Sequence, residues 1–160
     1  MVVQYQQFHL LDDGHTQGTT RVAFSSNARF VATAGLDGRL CIWDMEMGEL
    51  KYVFLGSSPV LSLAWIPGGD DLVVCSLADG NIACINIRGE FIEANGFFAH
   101  EQPVEYLALR GEYLASGACQ DVCVWRWDQA DSKYILDHAV GHPPMTSHNE
   151  WQEILVTSVQ

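Results

Sequence analysis

The feature that most limits the fold of this chain is a two-strand unit that occurs three times at a nearly constant spacing. The copies span residues 30–44, 72–86 and 113–126. Trp43 and Ile85, which close the first two copies, are 42 residues apart, and Ile85 and Trp125 are 40 residues apart. In each copy an apolar run ends in small residues, a short polar turn follows, and a second run ends on a large apolar residue. This order predicts a β-hairpin in every copy.

The turns of the first two hairpins are the dipeptides Asp37-Gly38 and Asp79-Gly80. An Asp-Gly pair suits a tight hairpin in which both turn positions have positive φ. A further strand is predicted before each hairpin and a more polar strand after it, and the chain breakers recur too often for helices. Each repeat is therefore predicted to be a four-stranded sheet.

Four-stranded units at this spacing are typical of β-propeller blades. Stacking such sheets around an axis covers faces that a lone sheet would leave open. We therefore expect an all-β chain, a partial β-propeller with about three four-stranded antiparallel blades plus flanking strands. The predicted boundaries are the outer strand of a preceding blade at 5–10, blades at 19–54, 59–97 and 103–137, a linker at 138–153, and the first strand of a fourth blade at 154–160.

Closed propellers need about four to eight blades. Three blades with two flanking strands are therefore not expected to close a ring within one chain. From this count we expect a truncated product, an incomplete gene model or an excerpt of a longer chain.

The repeats resemble those of the WD-repeat family. Trp43-Asp44 matches the dipeptide that gives the family its name. Gly14-His15 resembles the Gly-His that opens such repeats, and Ala99-His100 stands at the corresponding place of the third copy. The resemblance covers about residues 5–137, with a weaker match at 154–160.

In this family a His, a strand Ser or Thr, a turn Asp and the Trp form a hydrogen-bonded chain inside a blade. By resemblance, the residues of that chain here are His15, Thr33, Asp37, Trp43, Asp79, His100, Ser116 and Trp125. The second copy has Gly56, Cys75 and Ile85 at its other positions, so its chain is expected to be broken. In the third copy either Gln120 or Asp121 takes the place of the Asp.

The resemblance implies a non-enzymatic scaffold that binds proteins or peptides. In WD proteins the favoured surface lies near the opening Gly-His and the turn between the second and third strands. That location selects Thr16, Gly18, Leu36, Ser57, Pro59, Ala78, Glu101 and Pro103. Trp127 is a further candidate because exposed tryptophan is a typical anchor for partners. The segment 141–150, which contains two prolines, is interpreted either as a partner-binding loop or as a solvated linker.

Charge and composition favour some partners over others. The chain has 8 Lys and Arg against 20 Asp and Glu, a net charge of −12. This balance argues against nucleic acid as a partner and favours basic protein segments. We expect no membrane span, because apolar runs are far shorter than about 20 residues. Five cysteines without a Cys-x-x-Cys pair favour the cytoplasm or the nucleus.

Catalytic interpretations of the same residues are weaker. His15 and His100 are candidate general bases, and Asp37 with Asp79 is a candidate carboxylate pair. Their places in repeats and turns favour structural roles. We expect no catalytic residue and no cofactor. The alternatives to a scaffold are a propeller-based hydrolase and a truncated product without independent function, which would associate with itself through open blade edges.

A zinc site is the remaining chemical interpretation. Cys119, Cys123, His138 and His142 have the spacing of a two-Cys, two-His metal site. Cys123, however, occupies the same repeat position as Cys41, which no His pair follows. We therefore expect no metal.

Overall fold

The structure is a computed structural model that describes residues 4–68, 71–131 and 133–140. All regular elements within these ranges are β-strands, as alternating apolar residues and frequent turn residues predict. In chain order they are β1 (Thr19–Phe24), β2 (Phe30–Gly35), β3 (Arg39–Asp44), β4 (Glu49–Leu55), β5 (Val60–Trp65), β6 (Leu72–Leu77), β7 (Asn81–Arg88), β8 (Phe91–Phe98), β9 (Tyr106–Arg110), β10 (Tyr113–Ala118), β11 (Asp121–Asp128) and β12 (Lys133–Val140).

Consecutive strands pair into three four-stranded antiparallel sheets, which we call the first, second and third blades. Their strand orders are β1-β2-β3-β4, β5-β6-β7-β8 and β9-β10-β11-β12. The predicted all-β class and the three four-stranded sheets are confirmed. The described strands close no ring.

The blades stack face to face, and one apolar layer lies between each neighbouring pair. Strand β5 packs beside β1 on one side and β9 on the other, so the first strands of the blades line a common inner surface. Because side chains alternate along a strand, each middle strand sends residues into two layers. In β7, Ile85 belongs to the layer against the first blade, and Ile82 and Cys84 belong to the layer against the third.

Hydrogen bonds cross the boundary between the first two blades at three heights. The Thr20 hydroxyl donates to the Val60 carbonyl at 2.7 Å, and the Trp65 indole donates to the Ala23 carbonyl at 3.1 Å. The Tyr52 hydroxyl donates to the Gly89 carbonyl. These bonds satisfy polar groups at the edges of the apolar layer, as close packing of the blades requires.

The face of the first blade that points away from the second is only partly covered. Val31, Cys41 and Trp43 are buried there beneath Leu11 and Met45. Other apolar side chains on this face are exposed, among them Val22 (58%), Phe24 (60%) and Leu55 (70%). This face therefore presents apolar surface at the margin of a buried cluster.

The Asp-Gly turns differ from the expected geometry. Positive φ occurs at Gly38 (78°) and Gly80 (86°), whereas Asp37 and Asp79 do not have positive φ. The Gly38 amide donates to the Gly35 carbonyl, so residues 35–38 form a β-turn that ends on the left-handed glycine. The expectation of positive φ at both positions was wrong because the hairpins use a longer loop, in which only the last residue is left-handed.

The structure also differs from the predicted boundaries at two places. Residues 5–10 form no strand and pair with none of the described strands. Strand β12 continues to Val140, so residues 138–140 of the predicted linker belong to the third blade. The rest of that linker, the segment 141–150 and the strand predicted at 154–160 lie outside the described residues.

Within the described ranges there is no helix with the length and apolarity that a membrane span requires.

Candidate functional site

The first blade brings His15, Thr33, Asp37 and Trp43 into one hydrogen-bonded chain. The Trp43 indole donates to the Thr33 hydroxyl at 2.9 Å, and His15 Nε2 lies 2.8 Å from the same oxygen. His15 Nδ1 lies 3.1 Å from Asp37 Oδ1. A carboxylate can only accept, so in the neutral imidazole Nδ1 carries the proton and Nε2 accepts from Thr33. The chain thus runs from a buried indole to a turn at the end of the sheet.

Asp37 connects this chain to the backbone of the exposed loop. Its carboxylate accepts from the Thr16 amide at 2.7 Å and from the Arg39 amide at 3.1 Å. Burial raises the pKa of Asp37, but the hydrogen bonds from Thr16, His15 and Arg39 outweigh it and lower the pKa from 3.8 to about 2. Asp37 is therefore a fixed anion at neutral pH that holds two loop segments together.

The third blade contains a shorter version of the chain. His100 Nε2 lies 2.7 Å from the Ser116 hydroxyl, which accepts from the Trp125 indole at 2.8 Å. Burial lowers the pKa of His100, and the charge of Asp121 partly opposes this effect. Asp121 is the first residue of β11 and pairs with Ala118 across the turn. Of the two candidates for the Asp position, Asp121 thus acts on His100 through its charge.

The second blade replaces the chain with a smaller polar contact. Ser57, and not Gly56, stands 42 residues after His15, and its hydroxyl donates to the Asp79 carboxylate. Cys75 and Ile85 are fully buried apolar residues in this blade. The pairing of β7 with β8 has no register shift, whereas the first and third blades have one directly before Trp43 and Trp125. Asp79 is therefore held by serine, without histidine or tryptophan.

Most of the predicted partner-binding residues lie at the blade end that carries the β2–β3 and β6–β7 turns. We call this the turn-end surface, and its members are Thr16, Gly18, Leu36, Ser57, Pro59, Ala78, Glu101 and Pro103. Leu36, Ser57 and Pro59 line a shallow concavity of about 240 Å³ between the first two blades. Leu36 is 45% exposed, and Glu101 and Pro103 are also exposed.

Backbone hydrogen bonds hold the turn-end surface in place. The Leu36 amide donates to the Gly18 carbonyl, and the Ala78 amide donates to the Pro59 carbonyl, both at 2.9 Å. The loops that precede the first and second blades are therefore tied to the turns of those blades.

Trp127 lies apart from these residues. It is near the far end of β11, where its amide donates to the Glu112 carbonyl, and its ring meets that of Tyr134 edge to face at 5.0 Å. The ring is partly buried against the layer between the second and third blades. Strand β11 spans the blade and carries Trp127 to the end opposite the turn-end surface, so Trp127 stays a separate candidate for partner binding.

The inner surface offers little for acid–base chemistry. A concavity of about 620 Å³ is lined by β1, β5 and β9, and Arg21 is the one titratable side chain that lines it among the described residues. A hydrolase would need a general base or nucleophile at such a site.

The Cys and His residues with zinc-site spacing are not grouped into a metal centre within the described residues. Burial raises the pKa of the Cys123 thiol, which disfavours the thiolate that zinc requires. His138 is exposed on β12 and contacts Asp137, and His142 lies outside the described residues. Within the described part of the chain no three His, Cys, Asp or Glu residues are grouped as metal ligands.

The repeats of this chain match the model of a known protein family. The family model of the WD domain, G-beta repeat, matches residues 6–44 and 48–86, which include the four strands of the first blade, β5, β6 and most of β7. The third blade repeats the same four-stranded plan. The chain belongs to the WD40-repeat family.

The relatives of this WD40-repeat chain include named components of protein complexes. It is 36% identical over 120 residues to the Set1 complex component swd1 of Schizosaccharomyces pombe, covering 65% of this chain and 30% of the relative. It is 25% identical over 143 residues to the ribosome biogenesis protein WDR12 homolog of Anopheles gambiae, covering 86% of this chain and 33% of the relative. The chain thus spans about a third of these relatives.

The same architecture occurs in the crystal structure of the computationally designed Ika4 protein. The two superpose with a TM-score of 0.71 and 25% identity, covering 98% of this chain and 87% of the designed one.

Sequence reasoning missed one polar position of this WD40-repeat protein. Asn86 occupies the place in the second repeat that Asp44 occupies in the first. Asp44 accepts from the amides of Glu46 and Met47 in its hairpin, whereas the Asn86 side-chain oxygen is buried and has no hydrogen-bond partner in the described part of the chain. In the sequence, the replacement of Trp-Asp by Ile85-Asn86 was the only sign that this position differs. The loss of its hydrogen bonds could not be predicted, because it depends on the longer β7–β8 hairpin.

Proposed function

We propose that this WD40-repeat chain is a non-enzymatic platform that binds proteins or peptides through its turn-end surface. The observation that carries the proposal is the contact of Asp37 with the Thr16 amide at 2.7 Å. It joins an exposed loop to a chain that ends on buried Trp43. A loop held in this way loses little conformational entropy when a partner binds, which favours affinity.

The chemistry of the partner follows from charge. The net charge is −12, and Asp79 and Glu101 are exposed at the turn end. Burial raises the pKa of Asp79, but hydrogen bonds from Ser57, Asn81 and Ser58 outweigh it, so the pKa is lowered. A basic segment is the best electrostatic match to this surface, and no nucleic acid or membrane partner is proposed.

The relatives support a role within assemblies, since swd1 is named as a component of the Set1 complex. The five cysteines are free, which fits a reducing compartment. We accordingly propose the cytoplasm or the nucleus as its compartment.

Site-specific photocrosslinking tests the proposal. A photoreactive phenylalanine analogue replaces Leu36 at the turn end or, as the control, Met47 in the β3–β4 hairpin, which is 65% exposed. We expect partner crosslinks from position 36 that weaken as salt rises, because exposed charges are screened. Crosslinks from position 47 alone would contradict the proposed surface.

The alternative of a propeller-based hydrolase is tested on the same material. Turnover in a broad hydrolase screen, or stoichiometric zinc in the purified protein, would favour the enzyme over the platform.

A further inference from the structure

A second candidate binding site lies between the second and third blades, at the end opposite the turn-end surface. A cleft of about 530 Å³ opens there between β7 and β8 on one side and β11 and β12 on the other. Its volume falls within the range of about 300–1,000 Å³ that is typical of ligand pockets. The cleft and the turn-end surface share no residue, so neither proposal depends on the other.

Three aromatic rings form part of the cleft wall. Phe97 of β8 and Tyr134 of β12 have ring centroids 6.4 Å apart and ring planes tilted by 43°. Trp127 meets Tyr134 at 5.0 Å, and all three rings line the cleft. Aromatic faces attract cations and stack on flat guanidinium groups.

A hydrogen-bond acceptor without a donor is buried beside these rings. Asn86 lines the cleft, and its Oδ1 is buried with no partner among the described residues. An unsatisfied buried amide oxygen is costly, so such atoms are rare in folded proteins. A ligand that brings an N–H group into the cleft would remove this deficit after the Asn86 side chain turns its oxygen, which is closed to solvent, towards the cleft.

One carboxylate at the cleft is in no ion pair. Arg88 pairs with Glu93 at 3.5 Å, and Lys133 pairs with Asp131 at 2.7 Å, so both cations of the cleft already have acidic partners. Asp71 is exposed at the rim and is in no ion pair with a described residue, although it also lines the neighbouring concavity together with Arg29 and Lys51. Its carbonyl accepts from the Ile87 amide at 2.6 Å, which places its backbone next to that of Asn86.

We propose that this cleft binds an arginine side chain of a partner peptide. The guanidinium stacks on the aromatic walls, donates an N–H to Asn86 Oδ1 and lies near the Asp71 carboxylate. Arginine satisfies all three features, because it is flat, permanently charged and carries five donors. Lysine offers the charge without the flat surface, and an anionic peptide would meet Asp71 unfavourably.

The test is an NMR titration of the ¹⁵N-labelled 160-residue chain with acetyl-Gly-Ser-Arg-Ser-Gly-amide. Matched peptides carry lysine or citrulline in place of arginine, and citrulline keeps the shape while losing the charge. We expect affinity in the order arginine, lysine, citrulline, with shifts at the Trp127 indole and the Asn86 side-chain amide.

Variants of the chain separate the three contributions. Asn86→Leu is expected to weaken arginine binding about tenfold, because it removes the acceptor for a charged donor. It should leave the melting temperature unchanged or higher, since it also removes an unpaired polar group. Asp71→Asn is expected to weaken binding about threefold or more, as partly screened charges do, and Asn86→Asp should strengthen it.

The control is Glu46→Gln, an exposed acid in the β3–β4 hairpin of the first blade, which should leave affinity unchanged. If Glu46→Gln weakens binding as much as Asp71→Asn, the attraction is a diffuse effect of net charge and the proposal is wrong. It is equally wrong if Asn86→Leu binds like the wild type, if citrulline binds as well as arginine, or if no shift occurs in the cleft. None of these results would affect crosslinking at Leu36.

Discussion

Asp37 shows at the scale of one residue how an exposed turn is connected to the interior of a blade. Its side chain is only 3% exposed, although it lies in a surface hairpin. It accepts hydrogen bonds from one histidine and two backbone amides. Asparagine and serine are neutral, so neither could offer these donors a charged acceptor. The carboxylate thus serves the fold and the presentation of the turn-end surface together.

Replacement of Asp37 is expected to change stability in a pH-dependent way. The folded-state pKa is about 2 against an ordinary value of 3.8, so the charged form stabilises the fold above pH 4. That contribution is lost as pH falls from about 4 towards 2, because the folded state then takes up its proton. At pH 7, Asp37→Asn should lose about 1–2 kcal/mol of unfolding free energy.

Urea unfolding, followed by tryptophan fluorescence between pH 2 and 7, measures this difference. The gap between wild type and Asp37→Asn should narrow below pH 4, while the exposed control Asp12→Asn should follow the wild type throughout. A gap that stays constant down to pH 2 would show that the charge of Asp37 does not stabilise the fold.

At the scale of the strand and its turn, Gly80 has a steric role that its φ does not reveal. A Cβ at Gly80 would lie 1.8 Å from the backbone carbonyl oxygen of His100, in the segment that leads to the third blade. Gly68 has the same φ of +86°, but its Cβ would meet open space. The two glycines therefore separate backbone strain from collision.

Substitution of these two glycines should give unequal losses of stability. Gly68→Ala is expected to cost about 1 kcal/mol, from the left-handed conformation alone. Gly80→Ala is expected to cost about 2 kcal/mol more, because backbone must shift to relieve the contact. Thermal unfolding by circular dichroism compares them, and equal melting temperatures would contradict the steric role of Gly80.

The same elements show what sequence could predict. Hairpins and blades followed from alternating apolar residues and from the spacing of Trp43, Ile85 and Trp125, because pleated strands impose that pattern. The φ of Asp37 did not follow, since Asp-Gly occurs in several loop types. Ser57 as the partner of Asp79 was missed because the second repeat lacks the histidine that marks the position.

The candidate sites were predictable to different degrees. The turn-end surface could be located from family resemblance, because it is defined by repeat positions. The cleft at Asn86 could not, since it depends on how β8 and β12 of adjacent blades lie relative to each other. The end of the blade at which Trp127 lies was not predicted either, because strand length decides which end of a blade a residue reaches.

At the scale of the whole molecule, the blade faces that carry the repeat tryptophan point the same way in the first and third blades. The face of the third blade that carries Trp125 packs on the second blade, and the face of the first blade that carries Trp43 points away from it. Val22 and Phe24 are exposed on that outward face. We therefore expect this face to pack on the opposite face of another blade, such as the third blade of a second chain.

Self-association through this face is expected to depend on concentration. Val22→Thr together with Phe24→Ser should lower the mean mass in light scattering coupled to size-exclusion chromatography, because less apolar area is buried between chains. Met47→Ser, which removes an exposed apolar residue from a hairpin, is the matched control. If the double variant and the wild type have the same mass at every concentration, the outward face is not a contact between chains.

The second blade has neither histidine nor tryptophan in its polar contact, yet both of its faces are covered. We therefore expect its packing on both neighbours to contribute much of its stability. In an array where each repeat touches only adjacent ones, loosening of either neighbouring blade uncovers the core of the blade between them. The three described repeats are thus expected to unfold cooperatively, because the repeat without the histidine and tryptophan contacts lies between the other two.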